Sequence, residues 1–220
     1  MSDEATPKVG EYESRPNGDA IPCPFLLAAY NHGELNPAPD GTLSTDALEK
    51  AVLDTGLSPL LSKTLVWNAD RADDIPDSVN LFELHDTVLD HSGSTGVRDP
   101  DIDLDKLEEL VGFAEDGRMY SKHFAAATSH FRKDDPGFTG TVQESMELTT
   151  LVEVYGRPDE DGDRYLTVDD VRGLWAEGRY PEGWQRRPRG SIGPLQMVVS
   201  GTQMIAERVG QRLWKLLGRD

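Results

Sequence analysis

The sequence predicts a mostly α-helical protein built as a single domain. Three observations predict it. Apolar residues recur at three- and four-residue spacing in most segments that carry them. Alternating apolar and polar runs, the mark of strands, are few. The length, 220 residues, suits one domain or at most two small ones. Residues 1–20 are rich in Pro, Gly and charge and read as a flexible arm, leaving 21–220 as the domain.

A first helix is expected to start at Pro24, because proline suits the first helical position, and to end near Asn31–Gly33. "NPAPDG" is a loop. In "STDALEKAVLDTG" Ser44 or Thr45 can cap a second helix, Ala47, Leu48, Ala51 and Val52 share a face, and Gly56 stops it. "HSGSTGVRDPD" is made of turn formers. "DLDKLEELVGF" places Leu104, Leu107, Leu110 and Val111 at helical spacing. "MYSKHFAAATSHF" and "VQESMELTTLVEVYG" read as further helices. "RPDEDGDRYLTVDD" is a loop leading into a helix from about Val168 to Glu177, "YPEGW" a turn, and Pro194–Leu217 a closing helix. No internal repeat is expected.

The formal net charge is −18, from 22 basic and 40 acidic residues. Nucleic acid and anionic membranes are therefore not expected as partners. No apolar stretch approaches the roughly 18 residues of a membrane span. The N-terminus lacks a basic region followed by an apolar one, so a cytoplasmic location is the default.

Cys23 is the single cysteine, held between Pro22 and Pro24 in "IPCPFLLAAYNHG". An intrachain disulfide and a cysteine-based zinc cluster are excluded. At a helix start, free N–H groups and the positive end of the dipole favour thiolate. A rigid thiolate suits a nucleophile or a metal ligand; the alternative is an inert, buried cysteine.

"PCPFLLAAYNHGELNPAPDGTLS" resembles the opening motif of the haem-thiolate chloroperoxidase and unspecific peroxygenase family. A second family motif, Glu-His-Asp-x-Ser followed by Arg, is similar to "VLDHSGSTGVRD". Asp90, His91, Ser92 and Ser94 fall on it, with Arg98 displaced by one residue. A third, a glutamate nine residues before a glycine, is similar to "ELTTLVEVYG", with Glu147 and Gly156. "LWAEGRYPEGW" resembles the family's segment near the end. The resemblance runs from about Pro22 to Trp184. Asp90 replaces the usual Glu and Ser92 the usual Asp.

The resemblance implies a helical haem-thiolate peroxidase-like fold, and a peroxygenase or peroxidase that uses hydrogen peroxide on a small organic substrate. Cys23 would be the axial ligand of haem b iron, and its thiolate would favour O–O cleavage. Glu147, oriented by His91, would be the distal acid–base group. Asp90, the backbone of His91, and Ser94 would hold a divalent cation, Mg²⁺ or else Mn²⁺ or Ca²⁺, at a haem propionate. At 100° per residue, Glu144, Glu147, Leu148, Leu151, Val154 and Tyr155 share a face of their helix and Glu153 points away. Burial on that face would raise a carboxylate's pKa. Glu144 is the reserve candidate. His32, His85, His123 and His130 are assigned to packing or the surface. Phe25, Leu27 or Phe113 would line a substrate pocket.

Other readings stay open. Halide oxidation is a branch of the same chemistry. Ser92 in place of Asp suits a haem sensor or carrier without turnover. An acidic helical interaction domain with an inert Cys23 is a third. Asp159, Asp161 and Asp163 alternate as in a calcium loop, but Arg164 stands where glycine is required and Asp170 where glutamate is. That stretch is read as a solvated acidic loop.

Overall fold

The computed structural model describes residues 10–21, 23–67, 76–83, 102–131 and 137–197, with backbone alone at 67, 137–144 and 146. Asp90, His91, Ser92, Ser94, Arg98 and His85 lie outside the described residues, as does the closing helix beyond Met197.

Helices dominate, and small antiparallel sheets support them. In chain order the elements are α1 (Pro24–Asn31), β1 (Thr42–Ser44), α2 (Thr45–Leu53), α3 (Pro59–Trp67), β2 (Ser78–Asn80) and α4 (Leu104–Val111). There follow β3 (Arg118–Tyr120), α5 (Ser121–Phe131), α6 (Gly137–Tyr155), β4 (Arg157–Pro158), β5 (Arg164–Thr167) and α7 (Val168–Arg172). A wide π-type turn, Gly173–Glu177, continues α7. Among the described residues no helix is long and apolar enough to cross a membrane.

The expected helix starts rest on identifiable caps. Ser44 Oγ accepts from the Ala47 N–H at 3.3 Å, and Asp103 caps α4 through the Lys106 N–H at 3.0 Å. Thr167 and Asp170 form a reciprocal capping box at α7. Helix α3 was not expected, although Ser58-Pro59 repeats the proline signal seen at Pro24. There the Leu61 N–H reaches Ser58 Oγ at 3.4 Å.

The sheets pair β1 with β2, and β3 with β5 and β4 in the order β3-β5-β4. Met119 faces Leu166 across the second sheet, and both are fully buried. Met119 and Tyr120, expected at a helix start, are thus strand residues. The expected loop from Arg157 to Asp170 contains a hairpin. Strands of two to four residues are too short to show alternation.

A repeat does exist. Asp40-Gly41, Asp116-Gly117 and Asp161-Gly162 each precede a short strand that runs straight into a helix. All three glycines have positive φ: 89°, 73° and 91°. At Asp116-Gly117 both residues are left-handed and Glu115 and Arg118 exchange hydrogen bonds of 3.1 and 2.9 Å, as in a two-residue hairpin. In the acidic loop, Asp159 Oδ1 accepts the N–H groups of Asp161 and Asp163, and Oδ2 accepts the Tyr120 hydroxyl. Oδ1 thus holds the turn, and Oδ2 ties it to β3.

From Gly10 onward the N-terminal segment is described, and it makes contacts with the end of α1. Arg15 Nη1 donates to the carbonyls of Tyr30 and Leu35 at 2.9 and 2.8 Å, and its guanidinium lies 4.2 Å over the Tyr30 ring. The Tyr30 hydroxyl donates back to Pro16 O at 2.7 Å. Long-range polar contacts tie this polar segment down although it buries little apolar surface.

Candidate functional site

Helix α1 is buried at every position from Pro24 to Asn31. An all-round buried helix needs packing on every side, and the wide turn supplies one side. Gly178, with φ +60°, closes that turn against α1; a Cβ there would lie 2.2 Å from Leu27 Cγ. Asn31 Nδ2 donates to the Glu177 carbonyl at 2.8 Å. Leu27 therefore packs on the turn, and it is not among the walls of the cavity that Phe25 lines.

Cys23 is the N-cap residue of α1, with extended φ −85° and ψ 118°. Its carbonyl accepts the Leu27 N–H at 2.9 Å, so the helix begins at Pro24 as the proline signal requires. Its side chain makes no capping bond and is 1% exposed. The sulfur is therefore left to face the interior.

Glu147 comes from α6, 5% exposed. Cys23 and Glu147 line the same small cavity, with Phe25, Val52, Leu65, Thr150 and Leu151 as the other walls. A thiol and a carboxylate from segments far apart in the chain thus meet in an otherwise largely apolar space.

The face assigned to α6 needs correction. Glu147, Leu148, Leu151, Val154 and Tyr155 are buried as expected, but so is Glu153, at 6% exposure. Ser145, Thr149 and Thr150 are buried too. The C-terminal half of α6 is enclosed on all sides, so its small polar residues do not mark a solvent face. Glu153 Oε2 accepts from Gln196 Nε2 at 2.5 Å. The Glu144 side chain lies outside the described residues.

The histidines assigned to structure have structural partners. His32 Nδ1 meets the Gly10 carbonyl at 2.8 Å, and Nε2 accepts the Tyr180 N–H at 3.3 Å, which places the proton on Nδ1. The His32 and Tyr180 rings stack at 4.2 Å. His123 Nδ1 accepts the Tyr120 N–H at 3.1 Å; burial, then Lys122, lowers its pKa. His130 is exposed and meets Glu109 at 2.7 Å. Phe113 packs on His130 and Phe131, away from the Cys23 cavity.

Sequence reasoning missed the aromatic wall behind Cys23. Tyr155 tilts against Phe25 at 5.6 Å, Tyr180 at 5.4 Å and Trp184 at 5.1 Å. Trp184 Nε1 donates to the Val154 carbonyl at 2.9 Å, fastening "YPEGW" to the end of α6. The Tyr155 hydroxyl is buried and makes no well-formed hydrogen bond, although Tyr180 lies beside it. Burial first, then Tyr180, Glu34 and Cys23, hold it protonated well above the usual tyrosine range. The signal available was the density of aromatics in "YPEGW" and at Tyr155.

The donor set suits a haem-thiolate centre: one soft ligand, one carboxylate, apolar walls. The enclosed space does not, as it stands. It is about 20 Å³, room for roughly one water molecule. No protein-family model and no curated protein matches the chain.

Proposed function

We propose that the chain is a haem-thiolate peroxygenase or peroxidase with a chloroperoxidase-like helical fold, acting with hydrogen peroxide on a small organic substrate. The observation that carries this is the convergence of Cys23 and Glu147 on one cavity. Cys23 Sγ would hold the haem iron, and the buried α1 would fix its position. The bound haem would supply the oxidising chemistry. The Glu147 carboxylate would take a proton from one peroxide oxygen and return it to the other. Phe25, Val52, Leu65 and Leu151 would exclude water from that transfer. His91 would orient Glu147, and Asp90 with Ser94 would hold a divalent cation; these three lie outside the described residues.

The narrowness of the cavity favours a second reading, an inert Cys23 in a helical interaction domain. One experiment separates the two: the absorption spectrum of the reduced carbon monoxide complex after haem addition, for wild type and Cys23→Ala. A strongly red-shifted Soret band in wild type alone is the expected result. A band at the histidine-ligated position, or no haem in either protein, would overturn the proposal.

A further inference from the structure

A separate cleft of about 270 Å³ lies between the β4–β5 hairpin and the loop Pro181–Arg187. Its charged walls come from Arg157, Arg164 and Arg187, with Glu182 also lining it. In a chain of net charge −18, three arginines around one hollow run against the overall balance.

Their partners differ. Arg157 is neutralised: its Nη2 donates to both Asp170 oxygens at 2.9 Å. Arg164 donates from Nη2 to the Gly156 carbonyl, a neutral acceptor. Its Nε is buried and has no hydrogen-bond partner. Among the described residues neither Arg164 nor Arg187 forms an ion pair. Glu153 attracts both, and its Oε2 accepts from Gln196 Nε2. Burial first, and then the charge of Arg187, weakens the hold of Arg164 on its proton. Glu182 is exposed.

A buried guanidinium N–H without an acceptor is costly, and two unpaired guanidinium groups near each other repel. One oxyanion between the two groups would offset that repulsion, and guanidinium forks suit planar carboxylates in particular. Apolar residues line the cleft as well: Val154, Pro181 and Trp184, whose ring is held by its bond to the Val154 carbonyl. The volume is near the lower end for small-molecule sites, which begin at roughly 300 Å³.

We propose that this cleft binds a small organic carboxylate, its oxygens between Arg164 and Arg187 and its apolar body against Trp184. The site stands independently of haem, because it draws on none of the residues assigned to the iron.

The test is calorimetric titration of the full chain with benzoate, benzyl alcohol and inorganic phosphate. Expected are saturable benzoate binding and clearly weaker binding of the other two. Arg187→Gln and Arg164→Gln should each weaken benzoate by about tenfold or more. Arg164 also ties down Gly156; should its variant fail to fold, Arg187→Gln decides alone. No saturation by benzoate, or wild-type affinity in Arg187→Gln, overturns the site. Phosphate or benzyl alcohol binding as well as benzoate overturns the organic carboxylate.

Discussion

Glu34 and Arg186 are paired in the interior, their side chains only 7% and 6% exposed. Glu34 follows α1, and Arg186 belongs to the segment after Trp184, so the pair bolts the C-terminal loop to the helix that carries Cys23. Tyr180 donates to the second Glu34 oxygen at 3.0 Å. Asp54, 3% exposed at its side chain, lies 4.0 Å from Arg186.

Removing one member of this pair strands the other. Glu34→Leu or Arg186→Leu should each cost about 3–5 kcal/mol of stability. The double variant should cost clearly less than the sum, because no charge is left unpaired. Chemical denaturation of the four proteins provides the cycle. Strict additivity would show that the pair is not coupled.

Asp54 gives the fold an acid-sensitive joint. Burial alone would raise its pKa; the hydrogen bonds from Lys50 and Arg189 outweigh this and lower it. A depressed folded-state pKa means stability that is complete above the unfolded value of about 3.9 and lost as pH falls through the folded value. The stability gap between wild type and Asp54→Asn should therefore be widest near neutral pH and narrow below about pH 4. Denaturation midpoints across that range measure it. A gap constant with pH would remove Asp54 from the acid response.

Gly178→Ala tests the seat of α1. The new methyl meets Leu27 Cγ at 2.2 Å and Asn31 Nδ2 at 2.8 Å, in left-handed backbone. The expected loss is about 1–3 kcal/mol from overpacking and about 1–2 kcal/mol from the conformation. Gly183, also left-handed, has open space around its Cβ position. Gly183→Ala should therefore show the conformational cost alone. Equal losses at both positions would mean that the contact with Leu27 contributes nothing.

For the proposed chemistry, Glu147→Gln keeps the shape and removes the base. Peroxide-dependent turnover should fall about 10²- to 10⁴-fold with the haem spectrum unchanged. Undiminished turnover would pass the proton role to another group. Lost haem binding would make Glu147 a packing residue.

Several helices were legible from a cap or a proline at their start, although α3, announced by Ser58-Pro59, was missed. Pro24, Ser44 and Thr167 stand at or immediately before observed starts. The strands were not, since two to four residues cannot display a period. The Asp-Gly turns before β1, β3 and β5 carried the missing information for those strands, and the three turns mark a repeat. Cys23 and Glu147 could be singled out because local pattern and family likeness coincided there. The burial of Glu153 could not, because α6 is enclosed by elements distant in sequence, and no helical wheel records its neighbours. The arginine cleft escaped for the same reason. Arg164 and Arg187 sit in segments that read separately as loop.

Tyr155 borders the arginine cleft, and its ring rests on Phe25, a wall of the Cys23 cavity. The two spaces are thus separated by two aromatic side chains in contact, Tyr155 and Phe25. Any occupant of one space that shifts these rings alters the other, and such coupling is reciprocal by thermodynamic necessity. A carboxylate that loosens the thiol cavity must itself be held less tightly when that cavity is collapsed, by the same factor.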